Sequence, residues 1–179
     1  MRDSDVLDKN PHVSRSALEA IHGQVFGWAL SRSDYDRIVA EDLMQQAYVE
    51  LLTGKARFDN KSSLKTFVFS VVQNLARSRY RRIASRLRLI QAAGAAATAT
   101  VDDVVQAAEP NDNAALWKAV QELPQRQRDI IELVFCRDMT VEAAASVMGV
   151  TKGTGRVHYD RAKKALKMKL SKDGARFDD

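Results

Sequence analysis

Between Gln91 and Asn113 the chain offers almost nothing large to bury, and that gap limits the possible folds more than any motif does. Ala92-Ala93-Gly94-Ala95-Ala96-Ala97-Thr98-Ala99-Thr100 is a run of small residues, and Pro110-Asn111-Asp112-Asn113 closes the stretch with turn formers. A hydrophobic core is built from branched and aromatic side chains, so no single core can run through these residues. For a chain of 179 residues the expected outcome is two small domains on one string. Residues 91–113 read as a flexible linker, with a transient turn of helix around Val101 to Ala108 and scope for helical extension through the alanines.

On both sides of this gap apolar residues recur at helical spacing. Residues 1–14 read as a flexible arm. Ser16 is expected to start the first helix, with Glu19 completing a capping box, and Leu18, Ile21, Val25, Phe26, Ala29 and Leu30 form its stripe. The run Ser31-Arg32-Ser33-Asp34 breaks it. A second helix with Ala40, Leu43, Ala47, Tyr48, Leu51 and Leu52 buried ends at Gly54. After a polar loop around Phe58, Ser62 or Ser63 caps a third helix that reaches the mid-80s. Its stripe is Leu64, Phe67, Val68, Val71, Val72 and Leu75, and the opposite face carries Thr66, Ser70, Gln73, Asn74, Arg77 and Arg81. The first helical domain thus spans 15–90.

The second domain spans 114–171, followed by a tail at 172–179. Leu116, Ala119, Val120 and Leu123 make a short helix stopped by Pro124, and Ile130, Ile131, Leu133, Val134 and Phe135 make the next. Thr140 caps a helix ending at Gly149, and Thr151 caps a long final helix to about Leu170. The fold class is all-α, two small helical bundles joined by the linker.

Charge points to a polyanion partner because it is clustered rather than because it is large. The net charge is only +5, yet Arg77, Arg79, Arg81, Arg82, Arg86 and Arg88 follow with no acid among them, and a second cationic run covers Lys152 to Lys172. The single cysteine, Cys136, excludes an internal disulfide. No apolar run approaches the roughly 20 residues of a membrane span, and the polar N-terminus lacks a signal-peptide core, so no membrane insertion and a cytoplasmic location are expected. His12, His22 and His158 are scattered, no metal-ligand spacing appears, and Lys152-Gly153-Thr154-Gly155 lacks the strand that precedes a phosphate loop. No catalytic residue, cofactor or metal is expected, and the chain reads as a non-enzyme.

Ala145, then Gly149 four residues later, then a Thr-capped basic helix is a helix-turn-helix pattern: the small residue lets two helices cross closely and the glycine takes the left-handed turn. The second helix would lie in the major groove, presenting Lys152, Thr154, Arg156, Val157, His158, Asp160, Arg161 and Lys164, with Arg156 or Arg161 able to clamp a guanine. Asp160 repels phosphate unless it accepts from a cytosine amino group. In the first domain a polar-then-cationic helix face beside aromatics suits single-stranded DNA. Phe67 falls on the core stripe, whereas Phe58, in a polar loop, is the better base-contact candidate.

Two separated strings then carry a family resemblance. Ala40-Glu41-Asp42-Leu43-Met44-Gln45 precedes Gln73-Asn74-Leu75-Ala76-Arg77-Ser78-Arg79-Tyr80-Arg81-Arg82. Leu123-Pro124-Gln125-Arg126-Gln127-Arg128 precedes Gly149-Val150-Thr151-Lys152-Gly153-Thr154 and Arg161-Ala162-Lys163-Lys164-Ala165-Leu166. Together they resemble bacterial sigma factors of the extracytoplasmic-function (ECF) kind over about 15–88 and 113–170. The resemblance implies a protein that joins core RNA polymerase, places its modules on the −35 and −10 promoter elements and helps open the duplex. By that likeness Glu41, Asp42, Leu43 and Gln45 form the polymerase-docking helix, with Leu43 turned to the core. Phe58, Ser63, Lys65, Asn74, Arg77, Tyr80, Arg81 and Arg82 serve the −10 strand, whose flipped base enters near Phe58 to Ser63 with Asn74 lining the pocket. The linker would run through the polymerase's RNA channel, where Asp102 and Asp103 stand in for phosphate charge. An inhibitory anti-sigma partner is also implied.

Three positions depart from the family pattern. Val39 stands where an acid is common, Ser78 where Asp is common, and Gly155 where Val is usual, the last expected to loosen the recognition helix by up to about 1 kcal/mol. A free-standing helix-turn-helix regulator with an N-terminal sensing domain is the alternative. It accounts for the C-terminal third but not for Ala40 to Gln45 or the arginines from Arg77 to Arg88.

Overall fold

A computed structural model describes residues 10–92 and 114–172. The chain divides into two compact units, one holding helices α1–α3 and the other α4–α7. Every regular element among the described residues is helical. The linker reading, Asp102, Asp103 and the tail from residue 173 lie outside the described residues.

The N-terminal unit packs α1 (Arg15–Ser31), α2 (Arg37–Leu52) and α3 (Leu64–Ala92) against one another, each pair in contact. Its centre is Trp28, fully buried, whose indole N–H donates to the Phe69 carbonyl at 3.1 Å while the two rings lie parallel with centroids 5.7 Å apart. Arg32 lays its guanidinium over the indole, 4.3 Å from the ring centroid, so one side chain is held by a hydrogen bond, a ring and a cation. Asp36 caps α2, accepting from the N–H groups of Ile38 and Val39 at 2.9 and 3.1 Å.

Several expectations are corrected in this unit. The first helix is capped by Ser14, whose hydroxyl accepts from the Ala17 N–H, and Glu19 pairs with Arg15 at 2.9 Å instead of closing a capping box. The arm is no loose segment from residue 10 onward, since Asn10 and Val13 are both 3% exposed. On α3, Thr66 and Gln73 are buried with Val68, Phe69, Val71 and Val72, while Phe67 is only half-buried. A helix wedged against two others buries a wider arc than one stripe, and the extra width takes in two residues assigned to the polar face. The helix also continues past the mid-80s to Ala92.

The C-terminal unit contains α4 (Ala114–Gln121), α5 (Gln125–Ile131), α6 (Val141–Val147) and α7 (Lys152–Lys172). Arg128 ties α5 back to the end of α4 by donating to the carbonyls of Gln121 and Leu123. A π-helical turn, Glu132–Cys136, follows α5, and within it Leu133 is buried while Phe135 is 62% exposed. The widened turn rotates Phe135 off the apolar stripe expected for it. There its ring stacks on Tyr159 of α7, centroids 6.2 Å apart.

Candidate nucleic-acid interface

In the C-terminal unit the sequence builds the reading helix from two caps and one close crossing. Thr140 accepts from the Ala143 N–H at 3.1 Å, and Thr151 accepts from the Thr154 N–H at 3.2 Å, fixing the starts of α6 and α7. Between them Gly149 takes φ 64°, the left-handed conformation the turn requires, as Gly54 does with φ 72° after α2. Where α6 meets α7, a Cβ placed on Gly155 would lie 2.6 Å from the Ala145 Cβ. Gly155 is therefore a packing requirement: the glycine that departs from the family pattern is what lets α7 sit against Ala145.

This crossing turns Lys152, Thr154, Arg156, Val157, Asp160, Arg161 and Lys164 outward, all exposed, with His158 half-buried among them. Two of them are already engaged. The Thr154 hydroxyl lies 2.9 Å from that of Thr151, and Arg156 donates to Glu142 of α6 at 2.8 Å. That hydrogen bond, more than the charge itself, lowers the Glu142 carboxyl below the ordinary carboxylate value. Arg156 is thus held against α6, a constraint that spacing along one helix does not reveal.

In the N-terminal unit a cleft of about 570 Å³ lies between the end of α2, the α2–α3 connection and α3, and it brings together two of the eight candidate residues, Asn74 and Arg82. Asn74 and Arg82 line it with Phe67, Ser70 and Ser78, facing Glu50, Lys55, Ala56 and Arg57. Glu50 and Lys55 pair across its rim. Arg81 is exposed outside the cleft lining, and Arg77 and Lys65 are half-buried. Ser63 is exposed, but its hydroxyl caps α3 by accepting from the Thr66 N–H at 3.1 Å. Tyr80 donates its hydroxyl to Asp34 at 2.7 Å, and burial followed by that bond pushes its phenol up to about 12.

Phe58 is corrected as a base contact. It is 8% exposed, and its ring rests on that of Phe67 with centroids 5.3 Å apart. An aromatic in a polar loop looked free to stack, but the loop folds back and buries it. Phe67, assigned to the core, is the ring that reaches the cleft. Lys55 and Arg57, which the sequence did not single out, bring cations to the wall opposite Arg82.

On α2, Glu41, Asp42 and Gln45 share an exposed face and Leu43 is buried beneath them at 4% exposure. The same face carries Ile38 and Val49, 75% and 55% exposed, at positions one turn before Asp42 and one turn after Gln45. Two exposed apolar side chains thus bracket the acids on this face. Among the described residues no group of three or more His, Cys, Asp or Glu side chains is placed to hold a metal, and no helix is long and apolar enough to cross a membrane.

Family models for Sigma-70 region 2 and Sigma-70, region 4 match residues 18–87 and 113–166. The ECF RNA polymerase sigma factor EcfG of Rhodopseudomonas palustris (strain TIE-1) is 30% identical over 141 residues, which is 76% of this chain and 74% of that protein. The chain belongs to the ECF sigma factors. It is an alternative sigma factor, directing transcription initiation from specific promoters, and sigma factors are DNA-binding regulators rather than enzymes. SigC of Mycobacterium tuberculosis (strain CDC 1551 / Oshkosh), also an ECF RNA polymerase sigma factor, is 26% identical over 127 residues, 71% of this chain and 68% of that one. Among solved structures, the sigma factor RpoE of Bartonella quintana, in complex with the anti-sigma factor NepR, superposes with a TM-score of 0.62 at 25% identity, covering 88% of this sigma factor and 96% of that chain. CnrH, in complex with the cytosolic domain of CnrY, shares the fold with a TM-score of 0.58 at 19% identity, covering 94% and 96%.

Proposed function

We propose that the three faces divide the work of initiation. Glu41, Asp42 and Gln45, with Ile38 and Val49 at the margins and Leu43 as support below, dock α2 on core RNA polymerase. Lys152, Arg156, Arg161 and Lys164 hold phosphates and guanine edges of the −35 duplex, with Thr154, Val157, His158 and Asp160 completing the reading face. The cleft at Asn74 receives an unstacked base of the −10 strand, which Phe67 flanks while Lys65, Arg77, Arg81 and Arg82 hold the backbone and Ser63 and Tyr80 fix the surrounding frame. Domain limits of 15–90 and 114–171, with 91–113 as tether, fit this division, as does action in the cytoplasm where polymerase works. An anti-sigma partner is the inhibitor expected for this chain, because the RpoE of Bartonella quintana described above is in complex with one.

The observation that carries this reading is the cleft, which brings Asn74 and Arg82 together with cations from the opposite wall. A free-standing regulator has no use for the exposed Ile38–Val49 face. Run-off transcription with purified core polymerase on promoter-like fragments tests it. Discrete transcripts that require the protein, and that fall at least tenfold when Glu41 and Asp42 are both replaced by Ala, are expected. Protection of duplex DNA by the protein alone, without any transcript, would replace this reading with that of a regulator.

A further inference from the structure

Asn10 lies before the matched residues 18–87, yet its side chain ties together much of what forms the cleft. It is 3% exposed. Its Nδ2 donates to the Leu51 carbonyl at 2.6 Å and to the Ala56 carbonyl at 3.0 Å, and its Oδ1 accepts from the Phe58 N–H at 2.7 Å. Both amide hydrogens and the carbonyl oxygen are thus used on the last turn of α2 and the connection that follows it. On its other side the residue is anchored by a turn, since the Val13 N–H donates to the Asn10 carbonyl at 2.9 Å just before the Ser14 cap of α1.

One of its three partners, Ala56, is part of the cleft wall. Lys55, Ala56 and Arg57 line the cleft directly, and Phe58 supports Phe67, which lines it from α3. Backbone ties to the last turn of α2 also hold the connection, the Gly54 N–H donating to the Leu51 carbonyl at 3.1 Å and the Ala56 N–H to the Glu50 carbonyl at 2.8 Å. A polar loop with one buried aromatic takes its shape from such hydrogen bonds, and removing the amide takes this partner from the Ala56 carbonyl and the Phe58 N–H, while the Leu51 carbonyl keeps the Gly54 N–H at 3.1 Å.

We propose that Asn10 is a positioning residue for promoter recognition: by fixing the Lys55–Phe58 wall and, through Phe58, the Phe67 ring, it sets which base the cleft accepts. This rests on the reading of the cleft as the −10 base site. The arm, which the family match leaves out, then contributes to base specificity without touching DNA.

The full chain with core polymerase is assayed on promoters carrying each of the four bases at each −10 position. Asn10→Ala is expected to lower the ratio of best to worst base at the position the cleft reads by about tenfold, the change brought by one misplaced hydrogen bond. The −35 preference and affinity for core polymerase stay within twofold. Asn10→Asp keeps the acceptor for the Phe58 N–H and loses both donors; it relaxes the profile in the same direction and serves if the alanine variant does not fold. Val25→Ala, fully buried on α1 and outside the cleft lining, lowers the melting temperature and leaves the base profile unchanged. An unaltered profile in the Asn10 variants, or an equal relaxation in Val25→Ala, overturns the inference in favour of a purely structural role. A wild-type profile flat across all four bases overturns the reading of the cleft itself, and that result is visible before any substitution is made.

Discussion

In the N-terminal unit Lys55, Arg57 and Arg82 line a cleft, one wall of which Asn10 holds by hydrogen bonds to Ala56 and Phe58. In the C-terminal unit the cations stand on the open face of one helix, set by two threonine caps and the contact of Gly155 with Ala145. The first arrangement suits a flexible strand, whose bases can leave the stack and enter a concave site. The second suits a duplex, whose groove admits a rigid helix but offers no loose base. On the proposed reading, specificity in one unit would reside in a cavity and be sensitive to buried polar groups. In the other it would reside in helix placement and be sensitive to packing.

The sharpest way to break this contrast is Trp28→Ala. It removes the largest buried side chain and is expected to cost about 3–5 kcal/mol, unfolding the N-terminal unit. Because the chain has only two tryptophans, the fluorescence of Trp117 then reports on the C-terminal unit alone, and its melting transition should be unmoved. A joint shift of both transitions would show that the units do not fold independently. Next comes Gly155→Val. It restores the residue usual in the family but drives a Cβ into Ala145, for an expected loss of about 1–3 kcal/mol confined to the C-terminal unit. Duplex −35 binding should weaken while −10 strand binding is retained, and a stabilised C-terminal transition would show that α7 has room to shift.

Thr151→Ala is the smaller test of the same helix. Losing the cap on the Thr154 N–H should cost about 1 kcal/mol, read from chemical denaturation, with weaker duplex binding in proportion. The smallest effect belongs to Tyr80. Its phenol is raised above the ordinary 10.0 to about 12, so the fold favours the protonated form. That contribution is whole below pH 10 and is lost as pH rises through about 12. Ultraviolet titration should show one tyrosine ionising late, and Asp34→Asn should bring it earlier while barely moving stability at neutral pH.

Much of this was legible because helices announce themselves locally. The Thr140 and Thr151 caps, the Gly149 turn and the Ala145 crossing are all set by residues within a few positions of one another. What escaped was held by distance in the chain. The Asn10 bonds span more than 40 residues, Phe58 is buried only because Phe67 comes to meet it, and Arg156 meets Glu142 across a turn. Thr66 and Gln73 were misplaced for a different reason, since a period shows where a stripe lies and not how wide the neighbouring helices make it. Phe135 failed because one π-helical turn shifts the register that a regular period assumes.

The 29-residue α3 spans about 43 Å, and only its first half is clasped by the bundle. From Arg79 to Arg86 every side chain is exposed, and the helix carries no acid, so Arg77 faces Arg81 and Arg82 faces Arg86 one turn apart, like charges that work against the helix. The Tyr80–Asp34 strut ties this stretch back to the bundle, and its exposure places it among the segments that open first. Phosphates laid along it would cancel the repulsion and splint the helix. The nucleic acid then becomes part of the scaffold it is bound by, and slowed amide exchange between Arg79 and Arg86 in its presence is the signature of that splint.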